Sequence, residues 1–122
     1  KDTSFNIGTG FDNSGAFINS IYVQSDNQVL VGGSYTSFNG TTQRGLIRLN
    51  PNGSKDTSFN IGVGFDNSVR TVSYQTDGKI IMGGDFTTFT GTSQNRLIKL
   101  NSKINMSRLL TPRIIEPYFR RA

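Results

Sequence analysis

One stretch of this chain occurs twice, and that repetition limits what the chain can fold into more than any other feature. Lys1-Asp-Thr-Ser-Phe-Asn-Ile-Gly-Thr-Gly-Phe-Asp-Asn-Ser14 returns as Lys55-Asp-Thr-Ser-Phe-Asn-Ile-Gly-Val-Gly-Phe-Asp-Asn-Ser68, with Thr9 against Val63 as the sole change. Self-similarity at a period of roughly 50 residues marks a repeat architecture, in which one supersecondary unit covers the apolar face of the next. The correspondence continues past the opening, from Phe5 and Gln24 to Phe59 and Gln75, and the first copy carries Gly15-Ala16-Phe17 as an insertion. A surface loop absorbs such an insertion at small entropic cost.

Each copy reads as a series of short strands. Ile18–Val23 aligns with Val69–Tyr74, both rich in β-branched and aromatic residues. Asp26-Asn27 and Asp77-Gly78 follow as two-residue hairpin loops of the type that needs positive φ at both central positions. The apolar runs Gln28–Gly33 and Lys79–Gly84 then read as strands buried on both faces, with glycines where another backbone comes close. Arg44–Leu49 and Asn95–Leu100 supply further strands. Pro51 and Asn52-Gly53 turn the chain into the second Lys-Asp-Thr-Ser-Phe, expected as the fourth strand of the unit. Four short antiparallel strands per unit is the content of a propeller blade, so the expected fold class is all-β, with two such units.

Asp-Thr-Ser-Phe-Asn, Gly-Phe-Asp-Asn-Ser, Gln75-Thr-Asp-Gly-Lys-Ile-Ile-Met-Gly-Gly-Asp-Phe86 and Arg96-Leu-Ile-Lys-Leu-Asn101 together resemble the delta-60 repeat, a β-propeller domain of unknown function. The resemblance covers about residues 1–102. It implies propeller blades in tandem, in large bacterial secreted or surface proteins or in phage structural proteins, and it implies no reaction. The first copy departs from the second at Asn27 and Ser34, where the second has Gly78 and Asp85.

The domain organisation follows as a first repeat over 1–54, a second over 55–102 and a C-terminal arm over 103–122. Two blades leave apolar faces and sheet edges in water. Completion is expected from further repeats of the chain, from other protein chains, or from a homo-oligomer, of which a trimer would close a six-bladed ring. The repeat phase, in which nothing before Lys1 matches the residues leading into Lys55, suits a piece of a longer array. In the arm, Pro112 and Pro117 interrupt any helix. The arm's apolar pairs Leu109-Leu110, Ile114-Ile115 and Tyr118-Phe119, interleaved with Arg108, Arg113, Arg120 and Arg121, read as a segment that docks on protein.

Composition narrows the chemistry. The chain of 122 residues has neither His nor Cys, so the commonest general base, thiol chemistry and imidazole or thiolate metal ligands are missing. A non-enzymatic chain without cofactor or metal is expected. Carboxylate chemistry of the glycosidase kind would have to draw on Asp2, Asp12, Asp26, Asp56, Asp66, Asp77, Asp85 and Glu116. Most of these recur at equivalent positions beside Asn, Ser or Gly, as turn-forming side chains do. The Asp12-Asn-Ser14 and Asp66-Asn-Ser68 segments lack the spacing of a calcium loop and read as Asx-turns.

The aromatic set Phe5, Phe11, Tyr35, Phe38, Phe59, Phe65, Phe86 and Phe89 is repeat-equivalent, which suits inter-blade packing and, as an alternative, a glycan-binding groove of an adhesin. The net charge of +5 resides mostly in the arm, so nucleic acid is not expected as a partner. No apolar run has the roughly 20 residues of a membrane span. The expected role is a structural and interaction module of a larger extracellular, cell-surface or virion assembly.

Overall fold

In the computed structural model, the described residues are 1–12, 15–106 and 119–121. Apart from Met106, which has 3-10 geometry, their regular elements are all strands. The first unit contains β1 (Ile18–Val23), β2 (Val29–Gly33), β3 (Ser37–Phe38), β4 (Thr41–Thr42) and β5 (Leu46–Leu49). The second contains β6 (Val69–Tyr74), β7 (Lys79–Gly84), β8 (Thr88–Phe89), β9 (Thr92–Ser93) and β10 (Leu97–Asn101), and β11 spans Phe119–Arg121. The sheets run β1-β2-β5 and β11-β10-β7-β6, with β3-β4 and β8-β9 as separate hairpins. Every strand pair is antiparallel. The two units therefore repeat one another strand for strand up to β10.

The β1-β2 and β6-β7 loops differ from the two-residue form expected. The Gln24 N–H donates to the Gln28 carbonyl (2.8 Å) and the Asn27 N–H to the Gln24 carbonyl (2.9 Å), and Gln75, Lys79 and Gly78 repeat the pattern. Only the last loop residue has positive φ, 69° at Asn27 and 84° at Gly78. This is a tight turn followed by one left-handed residue. The cause lies at Asp26 and Asp77, whose Oδ1 atoms accept the N–H of Gln28 and Lys79 (3.0 Å each) and hold the aspartate in an Asx-turn. One left-handed position remains, and Asn fills it nearly as well as Gly.

The expected fourth strand is also corrected. Lys55 meets β5 through a single antiparallel bridge to Leu49, and the Asp56 N–H donates to the Arg48 carbonyl (2.9 Å). Pairing stops there because Asp56 Oδ1 accepts from the Ser58 N–H (3.0 Å) and hydroxyl (2.6 Å), curling the chain away from the sheet. In the second unit the matching edge is held by β11, with Leu100 opposite Phe119, Lys99 opposite Arg120 and Ile98 opposite Arg121.

Two apolar clusters form the core. One gathers Val31, Tyr35, Phe38, Ile47 and Leu49, with Phe5, Ile7, Phe11, Ala16 and Val29 half-buried against it. The other repeats that set as Met82, Phe86, Phe89, Ile98, Leu100, Phe59, Ile61, Phe65 and Ile80, and adds Val69, Val72, Ile104 and the first unit's Leu30 and Leu46. The second cluster thus spans both units, which makes it the larger one. Ile104, four residues before the first arm arginine, is fully buried within it.

Candidate docking surface

The junction between the units shows what a covered sheet face looks like in this chain. Strand pleating sends alternate residues to opposite faces, so Ser20 and Tyr22 of β1, with Leu30, Gly32, Leu46 and Arg48, face the second unit. Val69, Val72 and Tyr74 of the second unit come down on them. The Tyr22 and Tyr74 rings stack with centroids 5.7 Å apart. The Asn19 side-chain amide donates to the Val69 carbonyl (3.1 Å), and the Val72 N–H donates to the Ser20 hydroxyl (3.2 Å).

Closeness at this junction depends on Gly32, where a Cβ would lie 2.8 Å from Val72 Cγ2 and 2.9 Å from Val69 Cγ1. Its repeat equivalent Gly83 has only ordinary contacts, the nearest being the Arg96 carbonyl at 3.4 Å. Below the sheets, Asp56 ties the connecting segment down. Its Oδ2 accepts from Arg48 Nε (2.9 Å) and Gln28 Nε2 (2.8 Å), both side chains of the first unit. Arg48 also lies over the Phe59 ring, 4.5 Å from its centroid. Burial pushes the Asp56 carboxyl up, but hydrogen bonds from Ser58, Arg48 and Gln28 outweigh it and leave the group below the ordinary carboxylate value.

No described residue covers the opposite face of β1 in this way. Ile18 and Ile21 are 43 % and 62 % exposed, whereas their equivalents Val69 and Val72 are 0 % and 9 % exposed. Val23, the equivalent of Tyr74, and Phe17 of the insertion are exposed beside them. Phe17, Ile18, Ile21 and Val23 therefore form an apolar face built like the one buried inside the molecule. The far face of the second unit is more polar: Thr71 and Ser73 stand where the first unit has Ser20 and Tyr22, and Leu97 and Lys99 stand where it has Leu46 and Arg48.

The residues singled out from the sequence fall into three groups. Tyr35, Phe38, Phe59, Phe65, Phe86 and Phe89 are buried, and Phe5 and Phe11 are half-buried. Phe11 contacts Tyr35 and Phe38 (centroids 4.4 and 5.0 Å) as Phe65 contacts Phe86 and Phe89 (4.5 and 5.0 Å), so the rings pack on one another. A groove of about 490 Å³ bordered by Asn6, Asn39, Thr41, Ser54 and Lys55 reaches only one of the eight, Phe38. A second, of about 290 Å³ along Lys1, Asp2 and Asn6, reaches only Phe5. Arg108, Leu109, Leu110, Arg113, Ile114, Ile115 and Tyr118 lie outside the described residues, whereas Phe119, Arg120 and Arg121 form β11.

Asp66 is not in the local Asx-turn expected of it, and Asn13 and Ser14, which such a turn at Asp12 would use, lie outside the described residues. Asp12 accepts from the Thr36 N–H (3.0 Å) and hydroxyl (3.1 Å), and Asp66 from the Thr87 and Thr88 N–H groups (2.7 and 3.0 Å) and the Thr87 hydroxyl (2.5 Å). Each carboxylate thus clamps the loop before a β-hairpin, and these bonds lower its pKa, chiefly through the Thr36 N–H for Asp12 and the Thr87 hydroxyl for Asp66. Among the described residues no three His, Cys, Asp or Glu side chains gather as a metal site, and no helix is long and apolar enough to cross a membrane.

Small antiparallel sheets stacked face to face are the units from which β-propeller proteins are built. The chain belongs to the β-propeller family known as the domain of unknown function DUF5122, whose model matches residues 24–59 and 75–102, slightly more than half of the sequence. One matched segment lies mainly in each unit. Neither the curated proteins nor the solved structures provide a match.

Sequence reasoning missed the exposed β1 face and the Asp56 clamp. The signal for the face was available, since Ile18 and Ile21 align with Val69 and Val72. Alignment alone does not say which copy of an apolar position is covered.

Proposed function

We propose that this chain is a non-catalytic interaction module, two delta-60-like blades of a larger propeller assembly, that takes a further unit of its own kind on the β1 face. The observation that carries this reading is the contrast between Ile18 and Ile21, in water, and Val69 and Val72, buried on Gly32 in the same chain. A surface whose twin is already an interface has a defined complement: another unit presenting glycine, leucine and a cation in the places of Gly32, Leu46 and Arg48. Packing between repeats of this kind adds stability unit by unit. A place in a surface or virion assembly agrees with a role that is geometric, in which stacked blades present loops to a neighbour.

The test adds a unit. Residues 1–54 are fused ahead of Lys1, and the new Ser54-Lys1 junction then reproduces the natural Ser54-Lys55 junction. Ile21→Asp in the original chain should change stability by no more than about 0.5 kcal/mol, as exposed positions do. In the extended chain the same substitution buries an unpaired carboxylate and should cost about 3 kcal/mol or more. Equal effects in both chains would reject the β1 face as the docking site.

A further inference from the structure

We infer that β11 is a capping strand: it occupies the β10 edge in the register that the Lys1-Asp2 segment of a second copy would otherwise take, and so makes the module accept neighbours at one end only. The inference rests on the stacking reading above and adds the regulation of the other end. Its basis is a coincidence of register. In the first unit the outer edge pairs Leu49 with Lys55 and receives the Asp56 N–H on the Arg48 carbonyl. Leu100 and Lys99 are the repeat equivalents of Leu49 and Arg48, and they stand opposite Phe119 and Arg120. β11 therefore fills the place of an entry segment without being one.

Charge identifies the occupant that β11 replaces. The Asp56 carboxylate is held by Arg48 and Gln28, and the corresponding residues of the second unit are Lys99 and Lys79. An aspartate opposite Lys99 would be favourable, and β11 takes that register with Arg120. Lys1–Asn6 has the same sequence as Lys55–Asn60, and Asp2 is exposed, with its carboxylate bonded among the described residues only to Ser4 of its own turn. A second copy thus carries the segment that this edge fits, and β11 holds the edge by backbone pairing. An edge held in this way is protected from uncontrolled strand addition.

The full-length chain provides the test. Arg120→Pro removes a ladder N–H and clashes with the paired strand, whereas Arg120→Ala keeps the backbone intact. In dilute solution, where light scattering shows single chains, we expect amide exchange at Ile98–Leu100 to quicken in Arg120→Pro only. Light scattering should then show Arg120→Pro associating head to tail, with a dissociation constant at least roughly tenfold below that of the wild type and of Arg120→Ala. Adding Asp2→Pro to Arg120→Pro removes the donor equivalent to the Asp56 N–H and should abolish that association. Retained far-ultraviolet circular dichroism confirms that each variant is folded. Three results would overturn the inference: β10 amides still protected in dissociated Arg120→Pro, a freed β10 edge without association at high concentration, or association that survives Asp2→Pro. The extended chain tests the β1 face by itself, so a failure of stacking is told apart from a failure of the cap.

Discussion

Gly32 and Gly83 occupy the same place in the repeat and have opposite surroundings, which makes them a matched pair of probes. Gly32→Ala forces a methyl group to within 3 Å of Val69 and Val72 and should destabilise the chain by about 1–3 kcal/mol. Gly83→Ala meets open or ordinary contact and should be neutral or stabilise by up to about 1 kcal/mol through the unfolded state. Urea denaturation of the two variants checks the difference. Asp56→Ala leaves the Arg48 guanidinium buried without its acid and should cost about 3 kcal/mol. The pH dependence follows from the carboxylates with depressed pKa, Asp66 among them. The unfolded chain binds protons first, so their stabilising contribution is complete above the ordinary value of 3.8 and is lost as pH falls through the lower folded value. Stability should therefore decline with acid below about pH 4, and Asp66→Asn should flatten that decline.

Among the elements, much could be read from sequence, because a repeat states its own strand order twice. β1, β2 and β5, with their counterparts β6, β7 and β10, were legible from alternation and β-branched runs. The hairpin loops were placed correctly but given the wrong turn, since the Asp26 and Asp77 side chains capture a backbone N–H and leave one left-handed residue instead of two. The segment at Lys55 was expected to be a strand, and Ser58 prevents it by bonding Asp56. β11 was beyond reach because Phe119–Arg121 has no repeat partner to reveal its register. Its sequence was read as a segment that docks on protein, and only three-dimensional pairing shows that the β10 edge is what it meets. The element-scale prediction is the selective exposure of the β10 amides by Arg120→Pro.

For the whole molecule, the account is one of polarity. The first unit presents Ile18, Ile21 and Val23 to water on one side, and the second presents Thr71, Ser73 and Lys99 on the other, with its edge closed by β11. Repeat arrays depend on such a difference, because a terminal unit must be soluble on its outer side. Candidate site residues were legible where apolar positions recur in register. Their division into buried and exposed copies was not, because it depends on which unit has a neighbour.

The β1 face is expected to stack a further unit as β6 stacks on the first. Urea unfolding of the chain extended by residues 1–54 tests it most directly, followed in parallel by far-ultraviolet circular dichroism and tyrosine fluorescence. The account predicts one coincident transition, with a denaturant slope about 1.5-fold that of the original chain, because three stacked units unfold together. Two separate transitions, one of them at the midpoint of the original chain, would contradict it.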